Sequence, residues 1–143
     1  MGPTVKHWTL ARLGAGPNQE EAQVVPVINV AQKLGLFSDR WSPKIIADLN
    51  DCHVKLAKVQ GEFIWHQHAE EDELFIVLQG RLTIELRDGA ITLGPGELAV
   101  IPKGTEHRPV AREEVHLMLI EPKLTRHTGD VESELTVHEY ARI

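Results

Sequence analysis

Apolar and polar residues alternate most cleanly over residues 81–87, where Leu82, Ile84 and Leu86 are separated by Thr83 and Glu85 and the run closes on Asp88-Gly89. A period of two puts the three apolar side chains on one face of a β-strand, and Asp-Gly is a hairpin turn. Shorter runs of the same kind follow at residues 91–93, Leu98–Ile101 and 115–120, cut by Gly94-Pro95-Gly96, Pro102-Lys103-Gly104 and Glu113-Glu114. Upstream, Lys44–Leu49, a turn at Asn50-Asp51, and residues 53–59 and 63–68 also read as strands. Residues 74–78 are apolar on both alternate faces, so the outward face also needs a cover. One helix is predicted over residues 29–37. Asn29 is its N-cap, Val30, Leu34 and Phe37 share a face, and Gly35 stands near its end. Short strands punctuated by Gly and Pro predict an all-β sandwich or barrel, with the helix laid on an edge or mouth.

Residues 1–26 show no clear period, and Gly14-Ala15-Gly16-Pro17-Asn18 reads as a loop, so this stretch is expected to be an N-terminal arm or edge strand. The remainder, residues 27–143, is expected to form one domain, since 143 residues bury a single core of ordinary size. A net charge of −6 with no basic cluster argues against nucleic-acid binding. No apolar run approaches the length of a membrane span, and the start Met1-Gly-Pro-Thr-Val-Lys-His7 lacks a signal-peptide core, so a soluble cytoplasmic protein is expected. Cys52 is the single cysteine and is read as structural.

The chemistry-bearing residues lie in two blocks. In the first, running from Gly61 to Gly80, His66 and His68 are one residue apart, and Glu73 follows. On a strand the two imidazoles point the same way, and a carboxylate a few residues on can return toward them. The second block runs from Gly96 through Pro102 and Gly104 to His107. Three neutral imidazoles and one carboxylate suit a divalent transition metal: Fe, Mn, Ni, Co or Zn. His7, His53, His127 and His138 stay unassigned, and Glu70, Glu71 and Asp72 read as a solvated loop.

These blocks resemble the paired motifs of the cupin superfamily. The first motif reads glycine, five residues, His-x-His, three or four residues, Glu, six residues, Gly; here only four residues separate Gly61 from His66, and the other spacings match. The second reads glycine, five residues, Pro-x-Gly, two residues, His, three residues, Asn. Gly96, Pro102, Gly104 and His107 match it, with Ala111 in place of the asparagine. The resemblance implies a double-stranded β-helix, the cupin jelly-roll barrel, over about residues 44–122, with His66, His68, Glu73 and His107 as metal ligands. It also implies a homodimer, possibly with exchanged N-terminal strands. Residues 29–34, 41–44, 50–51 and 102–111 look like small bacterial cupins labelled mannose-6-phosphate-isomerase-like, a likeness covering roughly residues 27–130.

Strand parity lists the expected pocket lining. Glu62 and Ile64 would face inward with His66 and His68, Phe75 and Val77 with Glu73, and Leu82, Ile84 and Leu86 would share the interior. Glu62 and Glu106 are the carboxylates considered for a general base, and His116 and Met118 join the pocket only if their face is the inner one. Trp65, Arg81 and Arg87 have outward parity. The expected function is a metal-dependent enzyme of isomerase, lyase or oxygenase type on a small carbonyl- or carboxylate-bearing metabolite. The alternative is a non-catalytic small-molecule binding or sensing domain.

Overall fold

The computed structural model describes residues 22–143. One short helix, α1 (Val30–Leu34), precedes seven strands: β1 (Lys44–Leu49), β2 (Cys52–Glu62), β3 (Glu73–Gln79), β4 (Leu82–Leu86), β5 (Gly89–Leu93), β6 (Leu98–Ile101) and β7 (His107–Pro122). Every strand pairing is antiparallel. The order is β1-β2-β7-β3-β6, with β4 paired to both β7 and β5. The C-terminal half of β7 lies between β2 and β3, where Leu117 pairs with Ala57 and Val77, while its N-terminal half pairs with β4, Pro109 opposite Ile84. One strand thus serves both halves of a jelly roll, the all-β class expected from the alternation and the barrel implied by the motif resemblance.

The period of two decides what goes inside. Leu82 and Ile84 of β4, Phe75 and Val77 of β3, Ala57 and Val59 of β2 and Leu117 and Leu119 of β7 form the core, and Leu86 packs against it half-buried. Burying each large aliphatic side chain is worth roughly 1.5–3 kcal/mol, enough to fix which face turns inward. The outward residues Leu74, Ile76 and Leu78 are half-buried, whereas Leu98 and Val100 on the neighbouring edge strand β6 are exposed.

Three elements depart from the sequence reading. Residues 63–68 are not a regular strand. β2 ends at Glu62 after a register shift between Val59 and Gly61, and of residues 63–68 only His66 bridges, to His107. β7 is one strand of 16 residues where a six-residue strand was expected, because Glu113-Glu114 lies at a register shift against β2, opposite Gln60, and not at a turn. Helix α1 is shorter than expected. Asn29 Oδ1 does accept from Gln32 N at 3.0 Å, but no residue of α1 is buried. The predicted N-terminal arm lies outside the described residues as far as residue 21.

Beyond β7 the chain turns back without regular structure. Ile45 N donates to Ala141 O at 2.8 Å and Ile143 N donates to Ile45 O at 3.0 Å, so the C-terminal segment is laced to β1. On the way it buries Thr125, His127 and Thr128. Tyr140 Oη accepts from His127 N at 2.8 Å and donates to Thr125 O at 3.2 Å. Beneath the segment, Lys55 Nζ donates to Glu121 Oε1 at 2.9 Å and stands 3.7 Å from the Tyr140 ring centre, both charges fully buried. Among the described residues no helix is long and apolar enough to cross a membrane.

Candidate metal centre

Backbone hydrogen bonds bring the two motifs together. His66 N donates to His107 O at 3.1 Å and His107 N to His66 O at 2.9 Å, so two chain segments far apart in sequence share one narrow bridge. Gly104 N donates to His68 O at 2.7 Å, and Lys103 N to Asp72 Oδ1 at 2.9 Å. Gly104 has φ +77°, a conformation that costs a residue with a Cβ about 1–2 kcal/mol, which accounts for the Pro-x-Gly turn. Glu73 opens β3 on its inward face, in line with Phe75 and Val77.

The side chains of His66, His68, Glu73 and His107 then converge, with one ligating atom of each within 4.8 Å of the others. His66 Nδ1 lies 2.9 Å from Ile64 O and His107 Nδ1 lies 2.8 Å from Thr105 O. A carbonyl only accepts, so both rings carry hydrogen on Nδ1 and turn Nε2 inward. His107 Nε2 and His68 Nε2 each stand 2.8 Å from Glu73 Oε2, and His66 Nε2 stands 3.8 Å from it. With Nδ1 already protonated, the Nε2 lone pair of His107 opposes a carboxylate lone pair unless a proton or a cation lies between them. The four side chains are at most 5 % exposed, so water does not relieve that opposition. The Nε2 atoms of His66 and His68 are buried with no well-directed hydrogen bond. This donor set fits a divalent transition ion.

The electrostatics of the cluster favour positive charge beside the Glu73 carboxylate. Burial alone would raise Glu73, yet the three imidazoles hold its carboxyl well below the usual range. Burial alone would lower His68, but contact with Glu73 and the charges of Glu73 and Glu121 raise it.

Around the cluster the walls are aromatic and aliphatic. Phe63 meets His66 edge-on at 5.3 Å and stacks with Trp41 at 4.6 Å, and His127 stacks with Phe63 at 5.5 Å. These groups, with Glu73, Phe75 and Leu119, line a cavity of about 30 Å³. That is space for one or two water-sized groups. A wider groove of about 760 Å³, lined by His53, Lys123, Arg126, Tyr140 and Arg142, touches none of the four residues. Its cations are paired, Arg142 and Lys123 with Asp48 at 3.1 and 3.7 Å and Arg126 with Glu132.

Parity held for β3 and β4 and failed upstream of His66. Glu62, expected inside, is exposed and paired with Arg108 at 3.3 Å; Phe63 is the buried residue, and Ile64 is half-buried. The register shift before Gly61 changes the phase. Glu106 is exposed and paired with Arg87 at 2.6 Å, so neither carboxylate reaches the site as a base. His116 and Met118 lie on the outer face of β7, opposite in phase to buried Leu117 and Leu119, and His116 Nε2 pairs with Glu114 at 2.9 Å. Trp65 points outward beneath the guanidinium groups of Arg87 and Arg108, at 3.9 and 5.5 Å. Ala111, in the asparagine position, is fully buried in the core.

Sequence reasoning missed Trp41, Lys55, Glu121, His127 and Tyr140. Lys55 and Glu121 were accessible to parity, since each continues an inward series, Lys55 with Ala57 and Val59 and Glu121 with Leu117 and Leu119. Trp41, His127 and Tyr140 come from aperiodic segments that offer no such signal.

The Cupin_2 family model, described as Cupin domain, matches residues 52–122. Among solved structures, a cupin-2 domain containing protein from Shewanella frigidimarina is 56% identical, with TM-score 0.67 over 68% of this chain and 95% of that one. Protein NMB1881 from Neisseria meningitidis is 32% identical, with TM-score 0.63 over 68% of this chain and 100% of its own. The uncharacterized protein YdbB of Bacillus subtilis is 47% identical over 64 residues, 44% of this chain; the chain spans 57% of that protein's length.

Proposed function

The chain belongs to the cupin domain family, and on that premise we propose that it is a metal-dependent enzyme acting on a small carbonyl- or carboxylate-bearing metabolite. The observation that carries the reading is the opposed pair His107 Nε2 and Glu73 Oε2 at 2.8 Å, with Nδ1 of the same ring committed to Thr105 O. His66, His68, Glu73 and His107 are the ligands. A divalent ion of Fe, Mn, Ni, Co or Zn held there supplies Lewis acidity toward a carbonyl or carboxylate, and iron adds one-electron chemistry.

The chain's own residues prepare that chemistry. Ile64 O and Thr105 O fix the ring orientation of His66 and His107, as partners behind a ligand usually do. Phe63, Phe75, Trp41 and Leu119 keep bulk water out. A cavity of about 30 Å³ does not hold a whole metabolite, so substrate binding requires its walls to part, and His127 of the C-terminal segment is one of those walls.

The reading extends to the rest of the molecule: a single cupin domain over residues 27–143, a homodimer formed through the exposed apolar face at β6, and a cytoplasmic location, which the lone Cys52 fits. Elemental analysis of protein purified without chelator tests the centre. Near-stoichiometric Fe, Mn, Ni or Co is expected, falling below a tenth in the His66→Ala/His107→Ala variant. Wild type that stays empty after reconstitution with each of these ions and with Zn refutes the metal reading and leaves a small-molecule binding domain. An ion present with ligands bound but never turned over identifies a sensor.

A further inference from the structure

The C-terminal segment carries a fourth imidazole to the cavity. His127 is 6% exposed, stacks on Phe63, and lines the same cavity as His66 and Glu73. Its ring orientation is constrained from behind. Tyr140 Oη gives its proton to Thr125 O and accepts the backbone N–H of His127, so the oxygen presents a lone pair to His127 Nδ1 at 3.4 Å. Hydrogen therefore sits on Nδ1, and Nε2 keeps a free lone pair. That Nε2 is buried and has no hydrogen-bond partner.

An acceptor left in this state costs roughly 1–3 kcal/mol, a loss that a phenylalanine at the same place would avoid while keeping the stack on Phe63. We infer that His127 contacts substrate in this centre, its Nε2 accepting a hydrogen bond from an N–H or O–H group on the small ligand that completes the ion's coordination. The ligand class is thus a metabolite that carries a hydroxyl or amine beside the carbonyl or carboxylate that meets the ion. Burial pushes His127 down to about 4 against the pull of the Leu135 carbonyl, so the ring is neutral and an acceptor at pH 7.

This inference rests on the metal reading, and one experiment separates the two. Chelator-treated wild type and His127→Phe are loaded with Co(II), metal content is measured, and hydrazine and azide are titrated by the visible absorbance of the ion. Both probes bind through nitrogen and are small, but only hydrazine brings N–H groups. His127→Phe is expected to hold Co(II) at the wild-type level, to bind hydrazine about tenfold more weakly, and to bind azide within about twofold of wild type. His127→Met, which also lacks a strong acceptor, gives the same readout where the Phe ring disturbs folding. Equal losses for the two probes, no loss for either, or a variant that no longer holds Co(II) overturns the role of His127 alone. Wild type that takes up no Co(II) overturns the metal reading with it.

Discussion

Buried ionisable residues of this barrel are resolved in opposite directions by what stands beside them. Glu73 meets three imidazoles and is held well below the ordinary carboxylate range, whereas Glu121, with one lysine for company, is raised by burial in spite of that charge. His127 has no counter-charge in contact, and burial brings it to about 4 from 6.5. Because the unfolded chain binds that proton more readily than the folded one, stability at His127 is complete above about pH 6.5 and is lost as pH falls toward 4. Urea unfolding of metal-free protein at pH 7 and pH 5 is expected to show wild type losing about 2 kcal/mol more than His127→Phe over this interval. Equal losses in the two proteins would exclude His127 as the group that titrates. The convergence of His66, His68, Glu73 and His107 was legible from their spacing, with one residue between two imidazoles and a fixed reach to Glu73. His127 was not legible, because its position over the cavity depends on the fold of a segment with no period.

Among the elements, β3 and β4 follow their alternation residue by residue, since one face of each is core. The stretch 63–68 does not, because a register shift just before it breaks the phase that parity assumes. The C-terminal segment is held by individual contacts, and at Gly129 there is no room for a side chain. Its φ is +59°, and a Cβ there would overlap the Gln67 carbonyl oxygen and stand 3.4 Å from His66 Cδ2. Gly129→Ala is therefore expected to lift the segment from the His-x-His loop, at a cost of about 2 kcal/mol or more and roughly 8 °C in Tm. Faster proteolytic clipping within residues 123–143 should accompany it. Gly89→Ala, where no atom lies within 4 Å of the new methyl, is the matched control and should change Tm little. A Gly129→Ala protein with unchanged Tm and clipping rate would mean the segment is not seated there.

For the molecule as a whole, the unexplained surface is apolar. Leu98 and Val100 on β6 are 58% and 53% exposed beside half-buried Leu74 and Ile76, and Val24, Val25 and Val27 extend from the chain more exposed still. Light scattering at micromolar concentration is expected to give twice the chain mass, and Leu98→Lys/Val100→Lys to give a monomer; wild type running as a monomer would rule out the dimer. The need for a cover was readable from residues 74–78, apolar on both faces, but no pattern in one chain names what supplies it. The C-terminal segment also orders events in time. All four residues of the cluster are synthesised before the C-terminal segment that packs against it. At roughly 5–20 residues per second, His107 leads Gly129 off the ribosome by about one to four seconds. An ion arriving in that interval would meet the cluster before the C-terminal segment exists. On the proposed reading, an ion that reaches the finished chain passes the same wall as substrate does, so metal enters the complete protein more slowly than the nascent one.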